Sequence, residues 1–92
     1  MPRAINDYET ALKLGDRTFV TMDNLGTCYL RNEQFEKAVD WFTEALQIDG
    51  TRAGAYEARA EAYRRMGNEH LAQLDEDRAS EIEKELLIRN GQ

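Results

Sequence analysis

Ninety-two residues with a net charge of −6, 33% of them charged and 9% aromatic, allow one small domain with a limited core. An acidic surface repels a phosphate backbone, which excludes nucleic acid as an expected partner. The absence of a basic amphipathic stretch, or of an apolar run near ~18 residues, removes support for a membrane role. The opening Met1–Asp7 lacks the apolar core of a secretory signal. One cysteine cannot form an internal disulfide, so a reducing, cytoplasmic setting is expected.

Apolar residues recur with helical spacing in five segments. The first, about 3–14, places Ile5, Tyr8 and Leu12 on one face and ends at Gly15-Asp16, where glycine can take the left-handed conformation that closes a helix. Thr18 is the expected cap of the second, about 18–31, which carries Phe19, Met22, Leu25, Tyr29 and Leu30. A short turn at Asn32-Glu33 leads into the third, about 34–48, with Phe35, Ala38, Trp41, Phe42, Ala45 and Leu46. Asp49-Gly50 stops it, and Thr51 is the expected cap of the fourth, about 52–66, with Tyr56, Ala60, Tyr63 and Met66. After Gly67-Asn68 the fifth, about 69–89, turns Leu71, Ala72, Ala79, Ile82 and Leu86 inward and ends at Asn90-Gly91. No alternating strand pattern competes, and the only proline is Pro2, so the chain reads as all-α.

Short turns make consecutive helices antiparallel neighbours. Shifting the chain by 34 residues lays Ala4, Tyr8, Ala11, Leu12 and Leu14 on Ala38, Phe42, Ala45, Leu46 and Ile48. The same shift lays Leu25, Gly26, Tyr29 and Ala38 on Arg59, Ala60, Tyr63 and Ala72. A period of this size describes stacked helical hairpins, each covering an apolar face that its neighbour cannot bury alone. The small residues Gly26, Ala38, Ala60 and Ala72 stand where helices cross closely, with Tyr29, Phe42 and Tyr63 filling the space around them.

The stretch Met22-Asp23-Asn24-Leu25-Gly26-Thr27-Cys28-Tyr29, followed by Phe35-Glu36-Lys37-Ala38, Phe42 and Ala45-Leu46, resembles the tetratricopeptide repeat. The third unit keeps Tyr56, Ala60, Tyr63, Gly67, Ala72 and Ala79. It departs with Arg59 where leucine is usual and with Glu69 and Glu76 where aromatics are usual. The resemblance implies a right-handed α-solenoid of about two and a half repeats: a half repeat at 1–18, a full repeat at 19–52, and a repeat with an extended capping helix at 53–92. It implies a concave channel, lined by the first helix of each repeat, that receives an extended peptide or a helix. The matching positions are Val20, Asp23, Asn24, Thr27, Leu30 and Arg31, then Glu57, Ala58, Glu61, Arg64 and Arg65, with Gly54 leaving a gap. Asn24 matches one residue of the family's carboxylate clamp, but Gly54 and Ala58 occupy the places of its Lys and Arg, so a clamp is not expected. The lining mixes Asp23, Glu57 and Glu61 with a basic end at Arg31, Arg64 and Arg65, suiting a partner segment of both signs.

Nothing converges for catalysis, a cofactor or a metal. His70, the only histidine, reads as a solvated residue at a helix start; Cys28 reads as a buried small apolar residue. Asp75, Glu76 and Asp77 read as a solvated face. Trp41, adjacent to Phe42 and therefore about 100° away on the helix, reads as packing at the edge of its hairpin. The expected function is non-catalytic: a protein–protein interaction module for an unidentified protein or peptide. Rival readings are a self-assembling scaffold and a regulatory piece of a longer protein, the latter suggested by the lack of a first helix to pair with residues 3–14. That lack also predicts an orphaned face of Ala4, Tyr8 and Ala11, through which a weak homo-oligomer could form.

Overall fold

Thr18 caps a helix as its position predicts: its Oγ1 accepts the Thr21 backbone N–H at 3.3 Å. The computed structural model describes residues 2–90, which form α1 (Pro2–Lys13), α2 (Phe19–Arg31), α3 (Phe35–Ile48), α4 (Ala53–Arg65) and α5 (Glu69–Asn90). No strand occurs among the described residues, and the expected stop at Gly91 lies outside them. The fold is an all-α solenoid of antiparallel hairpins.

The turns repeat with the sequence. The Gln34 N–H donates to the Tyr29 carbonyl at 2.9 Å, and one period later the Asn68 N–H donates to the Tyr63 carbonyl at 2.8 Å. Each of these turns needs one left-handed residue. Gly67 supplies it at φ +82°, whereas Glu33 adopts φ +62° at an intrinsic cost of about 1 kcal/mol. The turn before α4 differs from expectation. Thr51 does not cap α4: its hydroxyl and backbone N–H both donate to Asp49 Oδ1, at 2.6 and 3.1 Å, and the helix begins at Ala53 without a side-chain cap.

Each helix packs on the next in the chain, and α2 also touches α4, while α1 and α3, and α3 and α5, stand apart. The stack therefore closes towards α2 and α4 and opens on the side of α1, α3 and α5. It is a thin slab of 42 × 31 × 18 Å. Its core joins Leu25, Tyr29, Ala38, Phe42 and Ala62 from three helices. Ile5, Tyr8 and Leu12 of α1 pack against that cluster. Tyr8 thus gives part of its surface to the core, and Ala4 and Ala11 are half-buried.

The α4–α5 interface is built differently. The buried apolar residues of these two helices are Ala55, Ala60, Ala62, Ala72, Ala79 and Ile82, almost all of them alanine. Helix α5 also runs straight through Glu83–Leu86, the positions one period after the Asp49–Arg52 turn. Leu86, which the helical spacing turns inward, is instead exposed, as are Leu87 and Ile88 beyond it.

Gly26 lies directly under Phe42. A Cβ at Gly26 would stand 2.7 Å from the Cδ1 and Cε1 of that ring, which has no solvent-exposed surface through which to move aside. Gly26→Ala is expected to cost about 1–3 kcal/mol in chemical denaturation. Ala60→Gly, one period later and facing no ring, is expected to cost only about 0.5–1 kcal/mol, the helix-propensity difference.

Candidate functional site

Helices α2 and α4 touch, and the 34-residue offset makes Asp23 equivalent to Glu57, Asn24 to Ala58 and Thr27 to Glu61 on the face expected to line the groove. Val20 is 58% exposed at one end of this face. Asp23 is half-buried, and burial pushes its carboxyl above the usual range while the positive charge of Arg52 opposes that shift. Arg52 itself donates to Asp49 Oδ2 at 2.8 Å and covers the Phe19 ring at 4.7 Å. The Thr27 hydroxyl donates to the Asp23 carbonyl at 3.0 Å, an internal helix bond. Leu30 and Ala58 pack against the core cluster and leave only part of their surface to the face. Arg31, Glu57 and Glu61 are exposed, Asn24 is half-buried, and none of these four makes a side-chain hydrogen bond or ion pair with the described residues.

Arg64 and Arg65 were expected to form the basic end of this face, and both are engaged elsewhere in the chain. The Arg64 guanidinium donates to Glu69 at 2.7 Å and, through two nitrogens, to both oxygens of Glu76 at 2.9 Å. It holds the Glu76 carboxyl below its ordinary value. Arg65 lies over the Phe35 ring at 4.8 Å. A long guanidinium side chain reaches its partner several residues from its own helix position, so the offset alone misplaces it. With Arg64 and Arg65 engaged within the chain, the other charges at the expected groove positions are Asp23, Glu57 and Glu61 against Arg31, an acidic excess.

Asp75 also departs from expectation. It is 5% exposed rather than solvated. Both its oxygens accept from Arg59, at 2.8 and 2.7 Å, while Arg59 Nη1 donates to Thr43 Oγ1 at 3.0 Å and the guanidinium lies within 5.5 and 5.8 Å of the Tyr56 and Tyr63 rings. One side chain on α4 thus ties α3 to α5. Hydrogen bonding to Asp75 raises the already high Arg59 value.

On the outer side a cleft of about 390 Å³ opens between α1 and α3, lined by Glu9, Arg17, Tyr29, Lys37, Asp40, Trp41 and Glu44. It continues into a second cleft that shares Glu9, Tyr29 and Lys37. The Tyr29 hydroxyl, pushed up chiefly by burial and then by Glu9, donates to Glu9 Oε2 at 2.9 Å. Trp41 packs in part on the core, as expected, and turns its remaining surface into this cleft. His70 is exposed and Cys28 is buried. Among the described residues no group of three metal-ligating side chains forms, and no helix is long and apolar enough to cross a membrane.

The tetratricopeptide repeat profile matches residues 17–87. The chain belongs to the tetratricopeptide repeat family. It is 36% identical over 80 residues to BBSome complex member BBS4 of Mus musculus, an alignment covering 87% of this chain and 14% of that protein. A solved structure of MamA (MSR-1, C2) superposes with a TM-score of 0.76 at 20% identity, covering 88% of this chain and 52% of the other. The chain therefore spans a small fraction of the BBS4 length and about half of the MamA chain. Tetratricopeptide repeats form a helical interaction scaffold rather than a catalytic fold, which agrees with an inner face of unengaged polar side chains.

Asp75→Ala leaves the Arg59 guanidinium without its main partner and is expected to destabilise the chain by about 2–4 kcal/mol in urea. Arg59→Leu with Asp75→Leu removes both charges and is expected to recover most of that loss, as the apolar Leu25 and Trp41 one period earlier suggest.

The inter-repeat turn has its own titration. Arg52 first, then the Thr51 hydroxyl and N–H, lower the Asp49 carboxyl from 3.8 to about 2. Because the folded value is depressed, its stabilising contribution is complete above about pH 4 and is lost as the pH falls through about 2. A carboxyl NMR titration is expected to give that midpoint, and Arg52→Ala to raise it.

Proposed function

We propose that the chain is a non-catalytic module that holds a segment of a partner protein, an extended peptide or a helix, on the inner face of α2 and α4. The observation that carries this reading is the row of side chains there, Asn24, Arg31, Glu57 and Glu61, that take no partner from within the chain. A preformed rigid face lowers the ordering cost of its ligand, and Asn24 can both donate to and accept from a peptide backbone. The excess of carboxylates favours a segment that carries positive charge. A face of two helices is short, so affinity near the micromolar range is expected from interface size, about 8 kcal/mol of binding free energy. A reducing compartment such as the cytoplasm suits the free thiol of Cys28.

The test compares proteins captured by the native chain and by Glu57→Lys/Glu61→Lys, quantified by mass spectrometry, with circular dichroism confirming equal helicity. Partners of the inner face are expected to fall about tenfold or more on the variant. Asn24→Ala is expected to weaken an identified partner by about 1–3 kcal/mol, because a desolvated backbone group is left unpaired. Partners retained equally by all variants place binding on another surface, and capture of the chain's own copies alone makes it a self-assembly module.

A further inference from the structure

The two gaps between neighbouring outer helices are lined by equivalent positions, yet only one of them is filled. Between α3 and α5 the filling comes from inside the chain. The Arg59 guanidinium meets the Asp75 carboxylate at 2.8 and 2.7 Å and Thr43 Oγ1 at 3.0 Å, and lies 5.8 Å from the Tyr63 ring. One period earlier, between α1 and α3, Glu9 stands for Thr43, Tyr29 for Tyr63 and Trp41 for Asp75. Arg59 is replaced there by Leu25, which is wholly buried in the core and sends no polar group outward. The result is the open cleft of about 390 Å³.

Its α3 wall is one helical stripe. Asp40, Trp41 and Glu44 are spaced three to four residues apart or adjacent on the side facing α1. Asp40 makes no ion pair with the described residues. Glu44 already accepts a guanidinium, that of Arg17, but loosely, at 3.5 Å and with both side chains about half exposed. Lys37 lies over Tyr29, and no cation among the described residues covers Trp41.

We propose that this convex cleft binds an arginine side chain of a partner protein, with its guanidinium stacked on Trp41 and paired with Asp40 and Glu44. A planar, weakly hydrated guanidinium can stack on an indole and bond two carboxylates at once, whereas an ammonium is a compact, strongly hydrated point charge. An apolar side chain would strip water from Asp40 and Glu44 without replacing its hydrogen bonds, and an anion would meet the carboxylates of Glu9, Asp40 and Glu44, which outnumber the Arg17 and Lys37 cations of the same lining. The arrangement around Arg59 is an example within the same molecule of this gap holding a guanidinium against a carboxylate and a tyrosine. Of the residues lining the site only Tyr29 belongs to α2, and none is among the expected inner-face residues, so it stands apart from that face.

Trp41 is the only tryptophan, so its indole Nε1–H gives a single, unambiguous NMR signal. The probe is the capped tripeptide acetyl-Gly-Arg-Gly-amide, titrated at constant ionic strength beside its lysine and citrulline counterparts. The arginine peptide is expected to shift that signal saturably. The lysine peptide is expected to bind about three- to tenfold more weakly, as is the arginine peptide to Asp40→Asn/Glu44→Gln, and citrulline is expected not to saturate. Glu57→Gln/Glu61→Gln on the inner face is expected to leave the titration unchanged. Circular dichroism checks that each variant, altered at solvent-accessible side chains, keeps its fold. A non-saturating response to arginine, equal binding of citrulline, or an equal loss in the inner-face variant overturns the proposal.

Discussion

The Phe42 ring lies on the backbone of Gly26, and the rest of the stack is set by that contact. With no side chain at Gly26, α3 approaches α2 closely enough for Leu25, Tyr29, Ala38 and Phe42 to share one cluster. Tyr29, fixed in that cluster, reaches out to Glu9 and so helps position α1. Ala62 joins the same cluster from α4, which draws α4 against α2 and turns the slab towards the inner face. The close approach of α3 to α2 thus descends from one missing side chain.

The third unit holds its helices by a different means. Where the middle unit has Leu30, Phe35 and Phe42, the third has Arg64, Glu69 and Glu76, and the apolar trio becomes an ion triad. Where the middle unit has Leu25 and Trp41, the third has Arg59 and Asp75, and these too are paired. Ion pairs of this kind add little net stability compared with apolar packing, but their geometry is directional. Alanine surfaces slide past one another with little penalty, so the bidentate Arg59–Asp75 contact, with Thr43 as a third point, is what fixes the register of α5.

Much of this was legible in the residues. The helices lie within one or two residues of their expected bounds because Gly15, Thr18 and Gly67 carry strong local signals. The cap of α4 differs from expectation because two hydroxyl-binding arrangements were open to Thr51, and the Asp49 carboxylate, two residues away, won. The inner-face positions on α2 and α4 follow from the repeat offset, which fixes the face a residue occupies. It does not fix where a long side chain ends, and the Arg64 and Arg65 guanidinium groups reach partners within the chain. A signal was present. The three departures at positions 64, 69 and 76 replace three mutually packed residues, with one positive and two negative charges, and such a set is matched to pair with itself. The burial of Asp75 could have been found in the same way from Arg59, since the two stand where Leu25 and Trp41 do.

The unbroken passage of α5 through Glu83–Leu86 has a consequence for phase. In the earlier units the chain reverses at this place, and the reversal starts a new hairpin at a fixed rotation from the last. Here the helix spends those residues travelling onward, and with 22 residues it extends about 33 Å against about 20 Å for the 13 residues of α4. Roughly two turns of it project past their neighbour. Any helical hairpin added beyond that projection would be displaced along α5 and rotated out of step with the 34-residue beat. The periodic lattice of contacts that runs from α1 to α4 thus gives way to a single rod, whose direction is set by the two charged groups that hold its base.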